Sequence, residues 1–222
     1  MNQVIGEVLP LALAVLISPL PIAAEILLLF SDKPKPNAAA YVTGFLLGVG
    51  AALGLFTLLA TTTDVGTSGD SAGWTSWLKI VLGAALVFGG IRRFRNRPAP
   101  GEAETPRWMS GIEAFSPPRS LVVGLGIGAL NPKNIIVGLA AGVAIAEAAL
   151  PVGQEVGVVI AYAVFATLGV LAPLVVAVAM GSRSEALLKG WRVWLFDNNA
   201  AVVAVIFLII GAVLIGKGIA TV

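Results

Sequence analysis

The sequence contains no cysteine and no histidine, and only 12% of its 222 residues are charged. Without cysteine, a thiol relay and cysteine-ligated metals are excluded. Without histidine, the usual acid–base residue and the usual nitrogen ligand for metals are missing, so histidine-based metal centres and catalytic triads are excluded too. We therefore expect no enzyme, no metal and no cofactor. A lipid-acting enzyme would need Glu25 or Asp32 as its acid, with no second carboxylate clustered beside it.

Apolar residues are in excess. The chain is 58% hydrophobic and contains 26 glycines, and its mean hydropathy is +0.95. Uncharged runs at residues 36–63, 156–182 and 198–216 each exceed the ~18 residues that indicate a membrane-spanning helix, and they lack the alternation of a membrane β-strand. We predict an all-α integral membrane protein. Because the basic residues cluster in loops, no nucleic-acid partner is expected.

Polar breaks divide the chain into six predicted transmembrane helices. They cover residues 4–30, 38–62, 74–94, 120–150, 156–180 and 198–217. Apart from Lys79, Lys133 and Lys217, the lysines and arginines lie in or beside the connections after the first, third and fifth helices. Since basic loops stay in the cytoplasm, we predict a multi-pass protein of the inner (plasma) membrane with both termini outside the cytoplasm.

A basic segment, residues 96–119, separates two groups of three helices, residues 1–95 and 120–222. Its proline, glycine and arginine content predicts a solvated cytoplasmic linker. Because three is odd, the two groups insert in opposite orientations, which is the arrangement of an inverted repeat. The segment VLGAALVFGGI in the third helix also aligns with IIGAVLIGKGI in the sixth, pairing Gly83 with Gly211. We therefore predict two inverted three-helix repeats.

The first and fourth predicted helices are interrupted by prolines, in the sequences SPLP and NPKN. Proline donates no hydrogen bond, so Pro19, Pro21 and Pro132 free the carbonyls four residues earlier, which need another partner inside a membrane. Those carbonyls belong to Val15, Ile17 and Gly128. Two broken helices at equivalent positions indicate a binding site near the membrane midplane. The alternative is that the prolines only bend packing helices.

Polar side chains cluster around both breaks. The residues predicted to bind substrate are Ser18, Pro19, Pro21, Asn131, Pro132, Lys133 and Asn134. The strongest candidate is Lys133, because a charge at the bilayer centre costs about 3 kcal/mol and residues kept there usually face a cavity. We predict that it holds an anionic or strongly polar headgroup. The alternative is a lysine bonded only to the freed carbonyls.

Glu25 follows Pro21 by four residues, in the inner half of the first predicted helix. A protonatable carboxyl group in a transport pathway can load and release a proton. We therefore predict that Glu25 couples transport to protons. The alternative is an ion pair with Lys33 or Lys35 near the cytoplasmic end of the helix.

Two further motifs have simpler interpretations. The sequence GLGIG at residues 124–128 precedes no strand-to-helix unit, so it predicts close helix packing rather than a nucleotide site. The polar residues Asp197, Asn198 and Asn199 are predicted to cap the start of the sixth helix.

Three segments carry a resemblance to a known family. They are ISPLPIAAEILLLF, RWMSGIEAFSPPRSLVVGLGIGALNPKNIIVGLAAG and FATLGVLAPLVV. Together they resemble the actinobacterial glycolipid-addressing (GAP, or sulfolipid-addressing) family, which looks like a branch of the lysine exporter superfamily. The resemblance implies a six-helix exporter fold of two inverted units. It also implies that the protein moves cell-envelope glycolipids or their precursors outward.

The leading hypothesis is a transporter or flippase that exports a membrane lipid or glycolipid and uses the proton gradient, since the chain has no nucleotide-binding module. Two alternatives remain open: an exporter of a small polar solute such as an amino acid or ion, and an accessory subunit of a lipid-export complex that transports nothing itself. Two kinds of protein partner are also left open, a second copy of the chain and the cell-envelope biosynthesis machinery.

Overall fold

The computed structural model describes residues 2–62, 71–98, 109 and 111–220. Within these ranges the chain is almost entirely helical and contains no β-strand, which confirms the all-α prediction. The α-helices are α1 (Asn2–Leu16), α2 (Pro19–Leu28), α3 (Pro34–Thr62), α4 (Ser71–Arg95), α5 (Pro117–Leu130), α6 (Pro132–Glu147), α7 (Val152–Met180) and α8 (Ser184–Ile219). Short 3-10 turns lie at Ile112–Ala114 and Gly181–Arg183.

Several of these helices are long and apolar enough to cross a membrane. Among the described residues, the stretches Pro34–Thr62 and Val152–Ile219 qualify alone, and the second contains both α7 and α8. The pairs α1–α2 and α5–α6 each qualify when taken together as one bent span. Apolar side chains also cover much of the outer surface, as expected where lipid replaces water. The chain is therefore a membrane protein with two to four candidate spans by these criteria.

Both predicted helix breaks are present. The axis bends by 49° between α1 and α2 and by 57° between α5 and α6. In each case a proline is the first residue of the second helix, where its missing N–H leaves no intrahelical bond unmade. The preceding residues, Ser18 and Asn131, are non-helical with ψ of 97° and 123°, as a residue before proline prefers.

Glycines let two helix pairs approach closely. On α5, a Cβ at Gly128 would lie 2.6 Å from the carbonyl oxygen of Phe45 on α3, and one at Gly124 would collide with the carbonyl of Tyr41. This confirms the packing interpretation of GLGIG. In the pair α4–α8, a Cβ at Gly83 would lie 2.7 Å from the carbonyl oxygen of Gly211, and the reverse distance is also 2.7 Å. Larger side chains would therefore force these helices apart.

The prediction of a helix start at residues 197–199 was wrong. Helix α8 runs without interruption from Ser184 to Ile219, so these residues lie inside it. The Asn198 side chain donates to the carbonyl of Trp194 one turn earlier, at 2.9 Å, which satisfies its amide without ending the helix. An internal polar cluster can thus imitate a helix cap in sequence.

The predicted linker is only partly solvated. Much of residues 96–119 lies outside the described residues, but Met109, Ile112 and Phe115 are buried. Asn37 of α3 donates a 2.7 Å hydrogen bond to the Phe115 carbonyl and a 2.9 Å bond to the Ser31 hydroxyl. These contacts fix the end of the linker against the start of α3.

Candidate functional site: a cationic cavity between two broken helices

The two helix breaks meet at one cavity of about 200 Å³. Its wall includes six of the seven residues predicted to bind substrate: Ser18, Pro19, Pro21, Asn131, Pro132 and Lys133. Side chains from α4 and α8 complete the wall. Segments far apart in sequence thus converge on one cavity.

Lys133 is the central charged group of this cavity. Its side chain comes from the first turn of α6, and the residue is only 6% exposed. The ammonium donates a 2.6 Å hydrogen bond to the Ala14 carbonyl and a second one to the Ser18 hydroxyl, both across the other break. An ammonium has three N–H donors. Two acceptors among the described residues leave a third donor for a ligand in the cavity.

Two of the three carbonyls freed by proline, those of Val15 and Gly128, have side-chain partners. The Ser18 hydroxyl donates a 2.6 Å bond to the Val15 carbonyl, and the Asn134 amide donates a 3.1 Å bond to the Gly128 carbonyl. The Asn131 side chain accepts from the Lys133 backbone N–H at 3.1 Å and so caps α6. For these two carbonyls the predicted need for another donor is confirmed. These bonds also hold both breaks in a fixed shape.

Asn134 differs from the other predicted binding residues because it is not in the wall of the cavity. Its amide nitrogen is already bonded to the carbonyls of Ile127 and Gly128, and its buried side-chain oxygen has no partner among the described residues. Its part in substrate binding stays a prediction, whereas its part in holding the α5–α6 break is visible.

The electrostatics of the cavity favour an anion. The N-terminal ends of α2 and α6 are both in its wall, and a helix N-terminus carries a partial positive charge. Lys133 adds a full positive charge, and its ammonium donates a hydrogen bond to the Ala14 carbonyl in the last turn of α1. Arg93, from the end of α4, adds another positive group. The described wall contains no carboxylate to balance these charges.

Among the wall residues that sequence reasoning missed, two are polar, Arg93 and Asn199. Arg93 was grouped with the other loop arginines, and only its helical phase distinguishes it: it follows Gly90, which packs on α8, by one turn. Asn199 was taken for a helix cap. Its spacing to Val203 and Phe207, four and eight residues later and also in the wall, was the available signal.

Glu25 lies apart from the cavity. It is fully buried in α2, and neither carboxylate oxygen has a hydrogen-bond partner among the described residues. Salt bridges in the described part of the chain link Lys79 to Glu147, Lys189 to Glu185 and Lys217 to Glu7. The expected alternative, a pair with Lys33 or Lys35, is therefore not formed there. Its role in proton coupling stays a prediction.

No group of three or more His, Cys, Asp or Glu side chains in the described ranges could hold a metal ion.

Comparison with known proteins gives a family match. The family model described as "Sap, sulfolipid-1-addressing protein" matches residues 8–220. The chain belongs to this family. No curated protein and no solved structure matches it. The name of the sulfolipid-1-addressing family connects its members with a membrane lipid, which fits the apolar helices.

Proposed function

We propose that this member of the sulfolipid-1-addressing family exports an anionic amphiphile, a cell-envelope glycolipid or its precursor, across the plasma membrane. The observation that carries the proposal is the Lys133 ammonium, held with a spare N–H in the wall of a cavity where two broken helices meet. Half-helix N-termini that face a midplane cavity are a common way for transporters to bind anionic groups. A sulfolipid headgroup carries such a negative charge.

In this proposal the six predicted spans form two inverted repeats. A pair of contacts between α4 and α8 supports it. A Cβ at Gly90 would lie 3.0 Å from the Ala204 carbonyl oxygen, and one at Gly218 would lie 2.7 Å from that of Ser76. The sequence offset that pairs Gly90 with Gly218 also pairs Ser76 with Ala204. The two contacts are therefore copies of each other, as expected across a local twofold axis.

The proposed orientation places both termini outside the cytoplasm. It rests on the lysines and arginines other than Lys79, Lys133 and Lys217, which lie in or beside the connections after the first, third and fifth predicted helices. The natural chain has no cysteine, so a single Asn2→Cys variant gives an unambiguous label. An impermeant thiol reagent should modify it in intact spheroplasts. If the reagent modified the variant only in permeabilised cells, the N-terminus would lie in the cytoplasm and the proposed topology would be inverted.

Proton coupling is assigned to Glu25. A buried charge with no partner costs several kcal/mol, and Glu25 has no partner among the described residues. Any step that charges Glu25 must bring water or a cation to it, which links its ionisation to a change in helix packing. This link is what a proton-driven exporter needs.

A second candidate is export of a small polar solute. The observation that favours it is the size of the cavity, about 200 Å³, which encloses a headgroup-sized molecule but not a whole glycolipid. Under this alternative the apolar part of an amphiphile would have no place to bind. A ligand should then bind equally well with or without an acyl chain.

The experiment is export in proteoliposomes under an imposed proton gradient. The probes are a sulfatide with a fluorescent acyl chain and the matching galactosylceramide, which differs only by lacking the sulfate. Movement of the sulfated probe, faster than the neutral one and dependent on the gradient, is expected. Export of neither probe, together with a gradient-driven flux of small anions, would favour the solute exporter. If the purified chain transported none of these probes or anions, the result would favour an accessory subunit that transports nothing itself.

A further inference from the structure

The seam between α1 and α8 contains an apolar groove next to the cationic cavity. The groove has a volume of about 410 Å³. Its wall is formed mainly by Leu13, Ala14 and Ile17 of α1 and by Val202, Val205 and Ile209 of α8. Leu13 and Val205 are 44% and 50% exposed on the apolar outer surface of the bundle. The groove therefore faces the space that lipid occupies.

The groove and the cavity share their dividing wall. Ala14 lines the groove, while its carbonyl oxygen accepts the 2.6 Å hydrogen bond from the Lys133 ammonium. At the α1–α2 break, Ile17 lines the groove and Ser18, the next residue, lines the cavity. The apolar groove thus begins one residue away from the polar site.

Helix α8 shows the same division between two faces. Asn199, Val203 and Phe207 lie in the wall of the cavity, whereas Val202 and Val205 lie in the wall of the groove. Helix α8 therefore has two faces over the same stretch of residues. The face that begins at the polar Asn199 lines the cavity, and the aliphatic face with Val202 and Val205 lines the groove.

We propose that the α1–α8 groove holds an acyl chain of the exported amphiphile while its headgroup occupies the Lys133 cavity. The inference rests on the proposed function and locates the apolar half of the ligand. A cavity of about 200 Å³ takes the headgroup only. Lipid tails are as apolar as leucine, so an aliphatic groove gives no driving force by itself. The groove provides the shape and the cavity provides the charge that selects the lipid.

A second groove, between α1 and α7, serves as an internal control. It is larger, about 510 Å³, and is also lined mainly by apolar residues, including Ile5, Leu9 and Phe165. None of the described residues in its wall is charged, and it shares no wall residue with the cationic cavity. If shape and apolarity alone determined binding, this groove would be occupied at least as well.

The experiment is photo-crosslinking of the full chain in lipid nanodiscs. The probe is a sulfatide with a diazirine on its acyl chain, and the labelled residues are mapped by mass spectrometry. The expected labels lie on residues 10–17 and 201–210, and they disappear when excess unlabelled sulfatide is added. Galactosylceramide, which lacks the sulfate, should not compete.

A matched pair of variants tests the groove directly. Leu13→Trp fills the α1–α8 groove and Leu9→Trp fills the α1–α7 groove; the native leucines lie one turn apart and are 44% and 47% exposed. Leu13→Trp should abolish labelling of α8, and Leu9→Trp should leave it unchanged. Both positions face the outside of the bundle, so folding should survive in each.

The possible results separate the inference from the proposed function. Labels in the α1–α8 groove that require Lys133, tested with Lys133→Gln and preserved in part with Lys133→Arg, would support both. Labels that require Lys133 but lie in the α1–α7 groove would overturn the inference and leave the proposed function standing. Labelling that depends neither on Lys133 nor on the sulfate would overturn both the inference and the proposed function. It would show only lipid bound nonspecifically to the protein surface.

Discussion

Lys133 and Glu25 are both buried ionisable residues in the second segment of a broken helix, yet their surroundings are opposite. Lys133 has a carbonyl and a hydroxyl as acceptors and borders a cavity. Glu25 has no hydrogen-bond partner among the described residues and borders no part of that cavity. The first environment suits a charge that stays in place and binds, whereas the second suits a group whose charge must be gated.

The largest effect is expected from removing the charge at Lys133. Lys133→Gln should lower the affinity for sulfatide by roughly tenfold or more and reduce its export accordingly, because the hydrogen bond to a charged group that it removes is worth about 1.5–3 kcal/mol. Lys133→Arg should retain part of the activity, since the planar guanidinium does not reproduce the compact ammonium. Export is measured in proteoliposomes, with the melting temperature as a control for folding. If a Lys133→Met protein exported sulfatide normally, Lys133 would not be part of the binding site.

Glu25 should show the reverse pattern, with an effect on coupling and none on binding. Glu25→Gln keeps the shape of the carboxyl group and cannot ionise, so the dependence of export on the proton gradient should disappear while sulfatide binding stays normal. The rate is measured at several imposed pH differences. An unchanged dependence would make Glu25 a structural residue, and the contrast with Lys133 would lose its functional meaning.

Stability sharpens the same contrast. Glu25→Leu replaces two unsatisfied buried oxygens by an aliphatic side chain of similar size. Because an unsatisfied buried polar group costs about 1–3 kcal/mol, the variant should unfold at a higher temperature than the wild type while it loses proton coupling. Thermal unfolding in detergent checks this. A strong loss of stability would mean that Glu25 has a partner in the folded protein.

A smaller effect is expected at Ser18. Its hydroxyl accepts from Lys133 and donates to the Val15 carbonyl, so Ser18→Ala removes one partner of the ammonium and one of the break. Each such bond contributes about 0.5–1.5 kcal/mol, which corresponds to a loss of a few-fold in affinity. Titration of sulfatide into nanodiscs measures it. An affinity as low as that of Lys133→Gln would show that Ser18 itself binds the ligand.

The smallest effect is expected at Lys79, which is a lysine of similar chemistry in a different setting. It forms a 2.6 Å ion pair with Glu147, and the two side chains remain 13% and 23% exposed. Lys79→Gln should lower the free energy of unfolding by about 1 kcal/mol or less and leave export unchanged. Thermal unfolding and the proteoliposome assay check both parts. A transport defect here would mean that any lost positive charge disables the protein.

The sequence predicts the helix breaks because proline acts locally: Pro19 and Pro132 favour an extended backbone at the residue before them. It does not predict the partners of Lys133, because Ala14 and Ser18 become neighbours only when α1 packs against α6. The lack of a partner for Glu25 likewise depends on helix packing. The sequence alone is equally compatible with an ion pair between Glu25 and a nearby lysine.

Arg93 and the α8 residues of the cavity show the same limit. Positive charge near a membrane surface indicates topology in any sequence, and only the packing of α4 on α8 shows that Arg93 lies in the wall of the cavity. A polar cluster such as that around Asn199 is ambiguous for a related reason. Its residues favour helix ends in isolation, and tertiary packing keeps them inside a continuous helix.

The most direct test is native mass spectrometry of lipid retained by the purified protein. Wild type, Lys133→Gln, Glu25→Gln and Lys79→Gln are extracted from the same membranes, exposed to equal amounts of sulfatide and galactosylceramide, and compared for bound lipid. The account predicts selective retention of sulfatide by wild type, Glu25→Gln and Lys79→Gln, and its loss only in Lys133→Gln. Equal retention of sulfatide by Lys133→Gln, or no preference for the sulfated lipid in the wild type, would contradict it.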